Sequence, residues 1–269
     1  MSEKEPKTEV FTIAGAEAGE TTTEKGKSKT NQKICSIYEQ YIQPCLAELF
    51  GTALFVFVGC ASVIGNVGVE GSIQPAVAHG LALGVLIMVL GQISGGHFNP
   101  AVSLSVYLCG GMPLTLLGPY ILAQMSGGMI GAGLAKVRRN REPTEYCNVK
   151  HILTQIALDI LHALGSATVA EMMMTLFLST VVCMGAINSR TRSQLAPFCI
   201  GLTVTACILA GGEVSGACMN PARAFGPAVV ANHWDHHWIY WIGPTCGALL
   251  TVSFVRLLFG DQKTRVVLK

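Results

Sequence analysis

The sequence predicts an all-α membrane protein: six transmembrane helices plus two re-entrant half-helices, arranged as an inverted repeat. Three observations carry that expectation. Of 269 residues, 51% are hydrophobic and only 13% charged, whereas a soluble domain is about 25% charged. No Asp, Glu, Lys or Arg occurs from Gly71 through Ala135. The segment SGGHFNPAV at 94–102 has a counterpart, SGACMNPAR, at 215–223.

Taken in order, residues 1–43 are polar, rich in Lys, Glu, Thr and Gly, and lack apolar periodicity, which reads as a disordered tail. The tail's acidic residues argue against a mitochondrial transit peptide, and nothing in it suits a cleaved signal, so the first span serves as its own insertion signal. Stretches of ~20 apolar residues match a hydrocarbon layer of ~30 Å. They fall near 44–66, 74–94, 114–136, 161–187, 195–212 and 237–259, with a short tail at 261–269. An even number of spans puts both termini on one side. That side holds twelve of the eighteen Lys and Arg, which assigns it to the cytoplasm. Lys136, Arg138, Arg139 and Arg141, after the third span, run against this rule. The plasma membrane is the expected location, with an intracellular or inner mitochondrial membrane as alternatives.

The duplication extends beyond the quoted segments. AELFGT at 47–52 lines up with AEMMMT at 170–175, giving repeat one at about 44–136 and repeat two at about 161–260. Each copy has three spans, so the second enters the membrane from the opposite face and the repeats are inverted. After each Asn-Pro-Ala comes an apolar segment too short to cross, VSLSVYLC and then RAFGPAVV. Asn is a favoured N-cap and Pro a favoured first helical residue, so each triplet opens a half-helix. Irregular backbone survives at membrane depth only where protein buries it or it lines a watery cavity. Two half-helices meeting N-terminus to N-terminus point to a pore.

The chemistry follows from the caps. The oxygens of Asn99 and Asn220 accept backbone N–H groups, leaving the amide NH2 to donate to a passing oxygen. Each half-helix also aims about half a positive charge at the centre. Together these repel cations and turn a water so that it breaks a proton-conducting file. Carbonyls of the SGGHF and SGACM runs are expected to line the approach as acceptors, which suits small neutral polar solutes. Glu48 and Glu171 lie at matched places within spans. A buried carboxylate there is costly, and each is expected to accept N–H bonds from its re-entrant loop and fix the direction of the carbonyls. His97 either lines the inner vestibule or braces its loop.

Other classes find little support. The ten cysteines are scattered without a CxxC, and no HExxH or GxSxG occurs, so neither enzyme, metal site nor cofactor is expected. The net charge of +2, with no basic block, suggests no nucleic-acid partner. His233, His236 and His237 in NHWDHHW read as an interfacial loop anchored by Trp234 and Trp238 rather than a metal site.

These residues resemble the aquaporin (major intrinsic protein) family over about 44–260. The paired boxes Asn99-Pro100-Ala101 and Asn220-Pro221-Ala222, with a Glu in the first and fourth spans, carry the resemblance. It implies a homotetramer with one pore per subunit and a narrow aromatic/arginine filter toward the outer side. Carried over by spacing from the two Asn residues, the filter is His79, Ile208, Ala217 and Arg223. Ala224 stands where glycerol-conducting members carry Asp, and small Ile208 and Ala217 leave an opening wider than a strict water filter but still polar. With NPARAFGPAVVANHW and HWIYWIGP downstream, the set is similar to a branch for which the resemblance implies passage of water, ammonia and hydrogen peroxide. There Cys218 matches a pore-facing, mercury-reactive thiol.

Overall fold

The computed structural model describes residues 37–139 and 162–261. The expected tail through residue 36, Arg141 and residues 262–269 lie outside the described residues. Eight α-helices occur among the described residues: α1 (Gln43–Gly65), α2 (Ile73–Ser94), α3 (Pro100–Leu108), α4 (Leu114–Arg139), α5 (His162–Val182), α6 (Ala196–Ser215), α7 (Pro221–Ala231) and α8 (Ile239–Phe254). A π-helical turn over Tyr38–Ile42 runs into α1, so helix starts ahead of the expected boundary at 43. Similar turns extend α5 to Ile187 and α8 to Phe259.

Among the described residues, five helical stretches are long and apolar enough to cross a membrane. The remaining full-length helix, α4, spans 26 residues but carries Pro119, Gln124 and a run of glycines, which lower its hydropathy. Its polarity is turned inward, since Gln124 is fully buried. Outward faces present Phe50, Leu81, Met88, Leu122, Phe177 and Phe198. Such a surface is suited to hydrocarbon rather than water.

Small residues set the helix contacts. A Cβ added to Gly127 of α4 would lie 2.3 Å from the Leu49 carbonyl of α1, and one added to Gly247 of α8 would lie 2.3 Å from the Met172 carbonyl of α5. These two contacts occupy the same place in the two repeats. Backbones meet there because lipid supplies no hydrophobic drive and close van der Waals packing must. α2 and α6, one from each repeat, cross at Gly80 and Gly201, where a Cβ on Gly201 would fall 2.4 Å from the Gly80 carbonyl. The short α3 and α7 are held inside this frame, α7 against α4 and α3 against α8.

Candidate functional site

Each half-helix starts as its residues dictate. Asn99 and Asn220 take extended backbone (φ −158° and −150°), and their side-chain oxygens accept from Ala101 and Val102 and from Ala222 and Arg223. Pro follows in each case, where its missing N–H leaves nothing unpaired. The amide NH2 groups are partly committed. Asn99 Nδ2 donates to the Met219 carbonyl and Asn220 Nδ2 to the Phe98 carbonyl, both at 2.8 Å. Each loop thus holds the other's cap, and one N–H rather than two remains on each amide.

The turns before the caps are strained in the same way. Phe98 (φ 48°) and Met219 (φ 55°) occupy left-handed backbone that side-chain-bearing residues seldom adopt. Their N–H groups donate at 2.6 Å to Glu48 Oε2 and Glu171 Oε2. Glu48 Oε1 also accepts from His97 N (2.9 Å) and Ser94 Oγ (2.7 Å). Glu171 Oε1 accepts from Cys218 N and Ser215 Oγ, both at 2.7 Å. Both carboxylates are fully buried. Burial of charge is costly unless hydrogen bonds replace the water, and here each carboxylate is met by donors on both oxygens.

A cavity of about 670 Å³ runs from Arg192, Ser193 and Gln194 past His97 to Asn99, Asn220 and Arg223. A second, of about 60 Å³, is lined by Cys60, His79, Ser215, Gly216, Cys218 and Arg223. Cys218 and Arg223 belong to both and mark the divide. Arg223 is fixed there, its Nη1 donating to the carbonyls of Ala217 (2.7 Å) and Cys218 (3.1 Å). The second approach run therefore spends two carbonyls on Arg223 and a third, Met219, on Asn99, so it does not simply line the lumen with acceptors.

His79 is buried with Nδ1 2.7 Å from the Pro75 carbonyl, its ring edge-on to Phe55. His97 pairs through Nδ1 with Ser103 Oγ (3.1 Å). Ile208 and Ala217 are buried in the apolar core and line neither cavity. In the loop ahead of α8, His237 Nδ1 accepts from Trp241 Nε1 at 2.9 Å, and burial holds the imidazole's pKa below its ordinary value. Among the described residues no cluster of three His, Cys, Asp or Glu could hold a metal, and the eight cysteines there are free.

Several contributors escaped the sequence reading. Tyr120 and Tyr240 donate to the carbonyls of Ser94 and Ser215 (2.8 and 2.9 Å), pinning both turns alike. Gln124 donates to Glu48 Oε2 and Ser103 Oγ, both at 2.8 Å. The serines and tyrosines recur at nearly constant spacing from the two Asn residues, a signal that was available. Gln124 has no such recurrence, because Pro244 stands at the equivalent place.

Comparison with known proteins places this architecture. The family model described as major intrinsic protein matches residues 36–255. Aquaporin-8 of Rattus norvegicus is 55% identical over 237 residues, 87% of this chain and 88% of the relative. Nodulin-26 of Glycine max is 34% identical over 242 residues, 88% and 86% respectively. Among solved structures, the aquaglyceroporin from Plasmodium falciparum superimposes with a TM-score of 0.66 at 18% identity, covering 81% of this chain and 97% of that one, a likeness of fold.

Proposed function

The chain belongs to the major intrinsic protein family, whose members are membrane channels for water and small solutes and not enzymes, and we propose that its own pore passes ammonia and hydrogen peroxide along with water while excluding ions and protons. The observation that carries this reading is the crossed pair of caps, Asn99 Nδ2 to Met219 and Asn220 Nδ2 to Phe98. It brings the positive ends of α3 and α7 to one point and leaves one amide N–H on each Asn for a permeant. A water or peroxide oxygen accepting there turns its own hydrogens away from the centre, which interrupts a proton file. Cations meet two helix N-termini and the Arg223 guanidinium, and among the described residues no Asp or Glu lines either cavity.

His79 and Arg223 line the narrow cavity and supply the polar side of a filter for ammonia and peroxide, with Ile208 and Ala217 backing it from the apolar core. Glu48 and Glu171 keep the loops in register, Cys218 is the thiol at the narrowest part, and His97 lines the vestibule. With the basic termini in the cytoplasm, the larger cavity is the inner vestibule of each subunit of a homotetramer in the plasma membrane.

The test is stopped-flow flux of water, hydrogen peroxide, ammonia and glycerol into proteoliposomes, with and without mercury, for the natural chain and Cys218→Ser. The expected result is mercury-sensitive flux of the first three that becomes resistant in the variant, with glycerol excluded. Flux of water alone would refute the wider permeant range, and no flux above empty liposomes would refute the pore.

A further inference from the structure

The C-terminal ends of the half-helices carry a device that neither the caps nor the filter requires. The last carbonyls of a helix have no intrahelical partner and form the negative end of its dipole. At the end of α7, the Val230 carbonyl accepts from Lys136 Nζ at 3.0 Å. At the end of α3, the Leu108 carbonyl accepts from Arg256 Nη1 at 3.1 Å. Lys136 lies in the last turns of α4, and Arg256 in the π-helical extension of α8. Each cation sits sixteen residues after the tyrosine, Tyr120 or Tyr240, that pins the turn of its own repeat. Each reaches across to the half-helix of the other repeat.

From this we infer that Lys136 and Arg256 are positioning residues, a repeat-related pair of C-terminal clamps that hold α7 and α3 lengthwise and cancel their outward-facing negative ends. Arg256 is no solvent-seeking side chain: it is half-buried and its Nε is enclosed without a hydrogen-bond partner, a cost consistent with a fixed placement at Leu108. Lys136 is one of the basic residues that run against the charge rule for loops, and the α7 terminus gives it a reason to be there. With both outer ends neutralised, what remains of the two dipoles is the pair of positive ends at Asn99 and Asn220. The inference rests on the pore reading for its effect on flux, and on hydrogen bonds alone for the clamping.

The experiment uses the purified full-length protein in lipid nanodiscs and proteoliposomes. Lys136→Met, Arg256→Met and the charge-retaining Lys136→Arg and Arg256→Lys are compared by hydrogen–deuterium exchange and water flux per folded channel. A C-terminal cation of ordinary strength implies about two- to five-fold faster amide exchange when it is removed. Lys136→Met is expected to speed exchange in the last turn of α7 and leave α3 unchanged, and Arg256→Met the reverse. Water flux falls in both Met variants and is restored in the charge-retaining ones. Should a Met variant not assemble, the Gln variant, which keeps a donor but no charge, is expected to fall between. Unchanged exchange at the clamped helix, acceleration spread equally over both, or no rescue by the conservative changes would overturn the clamp. A clamp seen by exchange in a chain that shows no flux would leave the clamping intact and overturn the pore reading instead.

Discussion

Glu171→Gln isolates what a buried carboxylate does for a re-entrant turn. The change is nearly isosteric, so packing is preserved and only hydrogen bonding alters. Glu171 accepts three bonds: Cys218 N and Ser215 Oγ on Oε1, and Met219 N on Oε2. In Gln one oxygen becomes an NH2, which faces either Cys218 N or Met219 N, donor against donor. Ser215 can rotate its hydroxyl to accept, but a backbone N–H cannot. One buried N–H is thus left bare, at about 1–3 kcal/mol. The two surviving bonds change from charge-assisted to neutral, a loss of about 1 kcal/mol each. The expected destabilisation is about 3–5 kcal/mol, measured by denaturant titration in detergent micelles, and water flux falls because Met219 no longer holds its left-handed turn. Glu48→Gln strips either His97 N or Phe98 N and is expected to cost a similar amount. A loss below about 1 kcal/mol with flux unchanged would show that the carboxylate does not hold the loop.

Asn220→Asp keeps the N-cap, since Asp caps as well as Asn, but removes the donor to the Phe98 carbonyl and places an anion between the helix ends. Water flux should drop and a cation current, measurable in planar bilayers, should appear. Gly59→Ala puts a Cβ 2.3 Å from His79 Nε2, whose ring is anchored through Nδ1 to Pro75. The expected cost is about 1–3 kcal/mol, with an altered ratio of ammonia to water flux. His237 gives a pH signature. Its pKa is held down in the folded state, so the unfolded chain binds the proton first as pH falls below ~6.5. Stability is therefore present above that value and lost below it, and His237→Gln should flatten the decline of the unfolding temperature between about pH 7 and 5.

Much of this molecule is legible in one dimension. Hydropathy sets the spans because a bilayer sorts helices by apolar length alone. Asn is a favoured N-cap and Pro a favoured first helical residue, so both half-helices and the inverted repeat can be read from the two matched Asn-Pro-Ala boxes. Glu48 and Glu171 could be singled out because an ionisable residue within a span needs a local reason. What the sequence left open depends on groups far apart along the chain. The pairing of each Asn amide with the opposite loop, the commitment of the Ala217 and Cys218 carbonyls to Arg223, and the reach of Lys136 and Arg256 to the opposite half-helix are each decided by where the tertiary fold puts a free donor beside a free acceptor. α4 shows the same division: its sequence reads as a span at 114–136, and only its position against Glu48 shows that Gln124 turns its polar side inward. A sequence states which groups must find partners, and the packing of helices decides which partners they find.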